Sequence, residues 1–108
     1  MSNTYRPRRA TQRWMEQAPE YILSVHDNGG KTTDRYTVFF GGSLYNEALA
    51  RNRAVEYLGM SESPSHPQGI SQWGECPSMN RDASGKKIRW LDLPESIRKH
   101  VICRATSN

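Results

Sequence analysis

The sequence predicts an α+β domain, a small antiparallel sheet of three to five strands packed by one C-terminal helix. Three observations lead to it. Two β-rich runs flank an Asp-Asn-Gly-Gly tetrad at residues 27–30. A striped segment near the C-terminus carries the start signals of a helix. Only 35% of the 108 residues are hydrophobic, below the roughly 45–50% of an ordinary globular domain, so one thin core in one domain is all the chain can build.

The first 19 residues form a basic arm. Through residue 18 it holds Arg6, Arg8, Arg9 and Arg13 against Glu16 alone, whereas the remaining 90 residues carry 11 basic and 10 acidic side chains. Two helical turns over 10–17 would have only Trp14 and Met15 to stabilise them, too little for a short helix in water. The arm is therefore expected to be flexible, or ordered by a partner, with residues 20–108 as the single folded domain.

Tyr21 to His26 is rich in β-branched and aromatic residues and runs into Asp27-Asn28-Gly29-Gly30. Such a tetrad favours positive φ, the chemistry of a hairpin connection. Arg35 to Phe40 is the return strand, stopped by Gly41-Gly42. From Leu44 to Met60 the apolar positions follow neither period cleanly. Good helix formers near Glu47 favour a short helical turn, and Ala54 to Met60 favours a third strand.

Residues 61–85 are dense in Ser, Pro, Gly and Asn and read as one long loop, a class that is often functional. Ile70, Trp73 and Met79 are expected to pack part of it onto the sheet. Lys87 to Trp90 alternates and reads as a strand. Asp92 or Leu93 then caps a helix with Pro94 in its first turn, where the missing N–H costs nothing. Glu95 lies three residues after Asp92, as in a capping box. Leu93, Ile97 and Val101 make its apolar stripe, while Glu95, Arg98 and Lys99 face water.

No cluster of nucleophile, base and electrophile can be assembled from these elements, so the chain is expected not to be an enzyme. Ser65 and His66 are adjacent, a spacing at which side chains seldom face each other productively, and no Gly-x-Ser-x-Gly elbow is present. His66, Cys76, His100 and Cys103 offer zinc-ligating atoms, and His100-x-x-Cys103 has knuckle-like spacing, but nine residues separate His66 from Cys76 and that half lacks the usual tight pair. Neither a metal nor another cofactor is expected. Two widely separated cysteines are no secreted disulfide framework, the Arg-rich start has no apolar signal-peptide core, and no apolar run approaches the roughly 18 residues of a membrane span. A cytoplasmic, reducing compartment is the expectation.

Two binding surfaces remain. One is the 61–85 loop, where prolines stiffen a display of His66, Gln68, Gln72 and Trp73 for a protein partner. The alternative is the arm, where Arg6, Arg8, Arg9 and Arg13, interleaved with Tyr5 and Trp14, would neutralise phosphates and stack on bases of a nucleic acid. No recognition-fold signature accompanies the arm. Without one, four arginines on such an arm more often mean non-specific charge attraction or a solvated tail.

Three passages carry a resemblance: Arg35 to Gly41 (RYTVFFG), Tyr57 to Gly74 (YLGMSESPSHPQGISQWG) and Gly85 to Val101 (GKKIRWLDLPESIRKHV). Together they resemble small proteins of bacteriophages and other bacterial mobile elements that have no assigned function. The resemblance suggests an origin and leaves mechanism open; with it, the binding protein expected from the lack of a catalytic cluster would be a small accessory protein of the host cytoplasm. It would inhibit or modulate a host protein, for example a defence nuclease complex. It assigns no site residues, and the basic arm lies outside it.

Overall fold

The computed structural model describes residues 16–41, 47 and 51–106. Five strands form one antiparallel sheet: β1 (Ile22–Asp27), β2 (Tyr36–Phe40), β3 (Ala54–Met60), β4 (Ser71–Pro77) and β5 (Lys86–Ile88). Their spatial order is β4-β3-β2-β1-β5. Four strands thus succeed one another as a meander, and the fifth returns to the far side beside β1. One C-terminal helix, Glu95–Thr106, packs on the sheet.

The hairpin forms as its sequence dictates. Val25 faces Val38, and Asp27 faces Tyr36. Its tip is closed by Asn28 N–H donating to the Arg35 carbonyl at 3.0 Å. Gly29 and Gly30 adopt φ of 74° and 86°, and the Asp27 and Asn28 carboxyl and amide oxygens accept their N–H groups at 2.7 and 2.8 Å. Arg35 then clamps the base of the tip with a two-point ion pair to Asp27 at 2.8 and 3.1 Å.

All five residues of β2 are buried, because both faces of the central sheet are covered. On one side, Tyr36, Val38 and Phe40 join Val25, Leu58 and Met60 beneath the helix residues Ile97, Val101, Ile102 and Ala105. Leu93, Ile97 and Val101 are each 1% exposed or less, as the four-residue stripe requires. Burial of such a side chain contributes about 1.5–3 kcal/mol.

The cover on the other face has no counterpart in the sequence expectations. To reach β5 from β4 the chain must cross the sheet, about 19 Å at strand spacing. A seven-residue 3₁₀ helix, Ser78–Ser84, makes most of that crossing, since its rise of about 2.0 Å per residue carries it roughly 14 Å. It covers Phe39, which is fully buried and meets the rings of His26 and Tyr57 edge-on at 5.2 and 5.7 Å.

The 61–85 loop is therefore corrected: only 61–70 is loop, and β4 and the 3₁₀ crossover come after it. Met79 does not pack down, being 83% exposed. The expected strand at 87–90 is β5, Lys86–Ile88, and Trp90–Asp92 is a short 3₁₀ turn. Asp92 caps that turn, accepting from the Arg89 N–H at 3.0 Å and pairing with its guanidinium. It does not cap the helix. Arg98 does not simply face water, since its guanidinium donates to the carbonyls of Leu91 and Leu93. In the 44–60 stretch, Glu47 and Arg51 are helical, joined by an ion pair at 3.4 Å, and the strand over Ala54–Met60 forms.

Candidate functional site

The four residues expected to share one binding loop are divided between two structures. His66 and Gln68 lie in the 61–70 loop, and Gln72 and Trp73 lie in β4. The loop is tied at its neck, where Ser61 N–H donates to the Ile70 carbonyl at 3.0 Å and the Ser61 hydroxyl accepts from Ile70 N–H at 2.9 Å. Inside it, the His66 N–H reaches Ser63 and the Gly69 N–H reaches His66. A Cβ on Gly69 would collide with the Ser63 carbonyl, so glycine allows this close turn. His66 Nδ1 accepts from the Gln68 N–H at 3.1 Å. Across from the loop lies the hairpin tip, and Lys31, Thr32, Glu62, Ser63, His66 and Gln68 line an open groove of about 630 Å³ between them.

Gln72 and Trp73 point to opposite faces of β4, as successive strand residues must. Gln72 lies opposite Gly59 and Trp73 opposite Leu58. The Trp73 ring packs on Phe40 at a centroid distance of 5.1 Å, with the Arg104 guanidinium 5.8 Å from its centre. It remains 39% exposed.

β4 is an edge strand, and the direction of its backbone groups is set by the ladder. Ser61 N–H donates to the Ile70 carbonyl, and Ser78 N–H donates to the Arg53 carbonyl. These contacts fix the phase of the alternating pairs. Gln72, Gly74 and Cys76 accordingly direct their N–H and C=O groups toward β3. Ser71, Trp73 and Glu75 direct theirs outward, and Pro77 ends the row without an N–H. The outward groups at Trp73 and Glu75 meet no backbone partner among the described residues.

His100 ties the helix to this edge. Its Nε2 lies 2.7 Å from the Ser71 hydroxyl and its Nδ1 3.4 Å from that of Ser65. A neutral imidazole donates from one nitrogen and accepts at the other, so it can serve both hydroxyls. Ser65 thus meets His100, not its sequence neighbour His66. Burial, with Arg104 nearby, holds the His100 pKa below the ordinary imidazole value. A catalytic imidazole must accept a proton and is usually steadied by a carboxylate. Here a cation stands nearby instead, which favours a structural clasp over a nucleophile–base pair.

A second imidazole, absent from the sequence candidates, is His26, which is 1% exposed. Its Nδ1 lies 3.1 Å from the Gly85 carbonyl, which only accepts, so Nδ1 carries the proton and Nε2 accepts from the Ser24 hydroxyl at 3.0 Å. Arg81 donates to the same hydroxyl at 3.2 Å. This chain pins the middle of the crossover, at Arg81, and its C-terminal end, at Gly85, to β1. Its signal in the sequence is the i, i+2 spacing of Ser24 and His26, two polar residues on one face of β1.

Cys76 is half-buried and Cys103 exposed, both as free thiols, and burial pushes the Cys76 thiol pKa up. Among the described residues no three His, Cys, Asp or Glu side chains are grouped to hold a metal ion, and no helix is long and apolar enough to cross a membrane. Arg6, Arg8, Arg9 and Arg13 lie outside the described residues. No known protein family, curated protein or solved structure matches the chain.

Proposed function

We propose that this chain is a small accessory protein that acts by binding another protein, with the outer edge of β4 and the exposed Trp73 as its contact surface. The observation that carries this is the open edge itself. Seven residues of β4 are held in register by β3, while the opposite side presents the backbone groups of Trp73 and Glu75. Strand addition to such an edge is a recurring mode of protein recognition. The resemblance to bacteriophage proteins supports a host protein as partner, inhibited or modulated in the bacterial cytoplasm. The loop residues His66 and Gln68 line a separate groove and are secondary on this reading.

The test is capture from nuclease-treated bacterial lysate by the full chain and by Glu75→Pro. The Glu75 N–H points outward, so proline removes a docking donor without breaking a bond to β3, as edge strands tolerate. Wild-type chain should retain a protein that Glu75→Pro, with an unchanged circular dichroism spectrum, does not. Capture that disappears on nuclease treatment, or that Glu75→Pro leaves intact, overturns the proposal in favour of the basic arm or another surface.

A further inference from the structure

If the β4 edge binds a protein, as proposed above, the helix-covered face of the strand specifies the chemistry of the segment it would take. Glu75 lies directly opposite Glu56. Theirs is a non-hydrogen-bonded pair, the kind in which Cα atoms approach to about 4.5 Å, and like charges so placed repel. Among the described residues, ion pairs join Arg35 to Asp27 and Glu62, Arg51 to Glu47, and Arg89 to Asp92. None reaches Glu56 or Glu75.

The helix advances along β4 from His100 beside Ser71 to Arg104 over Trp73, so its C-terminal end is directed toward Glu75. The Arg104 cation in its last turn offsets the negative end of its dipole, and the negative charge on this face comes from the Glu56–Glu75 pair itself. Next to this acidic pair, on the same face, stands the partly exposed Trp73 ring. The outward backbone groups of both residues set the positions an added strand must occupy.

We infer that the occupant of the β4 edge is an extended segment of a partner protein, added antiparallel, with an arginine or lysine opposite Glu75 and an apolar residue opposite Trp73. Side chains alternate along a strand, so the partner motif reads basic, any residue, apolar. The incoming cation would relieve the Glu56–Glu75 repulsion, and this sets its preference over neutral or acidic residues at that position.

The test uses the full ¹⁵N-labelled chain and two synthetic strand peptides of alternating Thr and Val. One peptide carries Arg at a single Val position, two residues before the next Val; the other carries Glu there. Both should shift the amide resonances of Trp73 and Glu75, with the Arg peptide binding roughly threefold to fivefold more tightly than the Glu peptide, as cross-strand charge pairs allow. The preference should vanish in the Glu56→Gln/Glu75→Gln double variant, while the amide shifts persist. Equal or reversed affinities overturn the inference, as does binding that leaves Trp73 and Glu75 unmoved. If sedimentation shows a dimer in which those two amides are already protected, the occupant is a second copy and the inference fails. Lysate capture sensitive to Glu75→Pro, alongside peptides that bind without charge preference, would leave the protein-binding proposal standing and remove only the basic motif.

Discussion

β5, at one end of the sheet, is three residues long and carries exposed Lys86 and Lys87; β4, at the other, is seven residues long and carries Glu75 as its only charge. Short length and lysines are the usual means of keeping an edge strand from pairing with other chains. The β5 end has a further lock, because the crossover lands there: Gly85 passes against Asp27 and Asn28, and its carbonyl is held by His26. β4 has Pro77 at its last position and Trp73 on its flank, and its outward backbone groups at Trp73 and Glu75 meet no backbone partner among the described residues. Of the two edges, β4 is therefore the one on which the strand addition proposed above would act.

The contrast can be broken most forcefully at the two glycines. A Cβ at Gly85 would stand 2.6 Å from the Asn28 Cα and from the Asp27 carbonyl oxygen, at a φ of 116°. Backbone cannot yield there, so Gly85→Ala should destabilise the fold by about 1–3 kcal/mol in urea denaturation. A Cβ at Gly74 would meet the Tyr57 ring at 2.5 Å, and a side chain can swing aside. Gly74→Ala should therefore cost less. The reverse order would mean that β4, not β5, is the rigid edge.

His100 offers a gentler probe of how the helix grips β4. Its folded pKa lies below the ordinary imidazole value, so the unfolded chain takes up protons first as pH falls. The stability contributed by the neutral ring is present above the unfolded pKa, near 6.5, and is lost as pH drops from there through the folded value. Melting temperature should decline between pH 7.5 and 5.5, and His100→Gln should flatten that decline. An unchanged slope in the variant would detach His100 from the stability of this edge.

The smallest effect has the opposite sign. Relieving the like-charge pair through Glu75→Gln should stabilise the free protein by roughly 0.2–1 kcal/mol, measured by the same denaturation. A destabilised variant would show that Glu75 already has a compensating partner.

Short-range chemistry is legible in this sequence. Gly29 and Gly30 announce the hairpin because positive φ is a local demand, and Leu93, Ile97 and Val101 announce the helix because one face of it has to be apolar. β4 is illegible for the converse reason. Ser71–Pro77 contains no β-branched residue and includes both Gly74 and Pro77, so its strand form comes from pairing with β3. The 3₁₀ crossover likewise has no buried residue of its own and is fixed by distant contacts from Arg81 and Gly85. Trp73 and Gln72 are both exposed, as a binding display requires, but strand alternation separates them onto opposite faces and rules out one shared loop surface.

Hydrogen exchange along β4 in the free full-length chain tests the open edge most directly. The Gln72, Gly74 and Cys76 amides, bonded into the sheet, should be protected, while Trp73 and Glu75 should exchange at nearly the rate of unstructured chain. Protection of Trp73 and Glu75 equal to that of their neighbours would show the edge already covered and contradict an open β4.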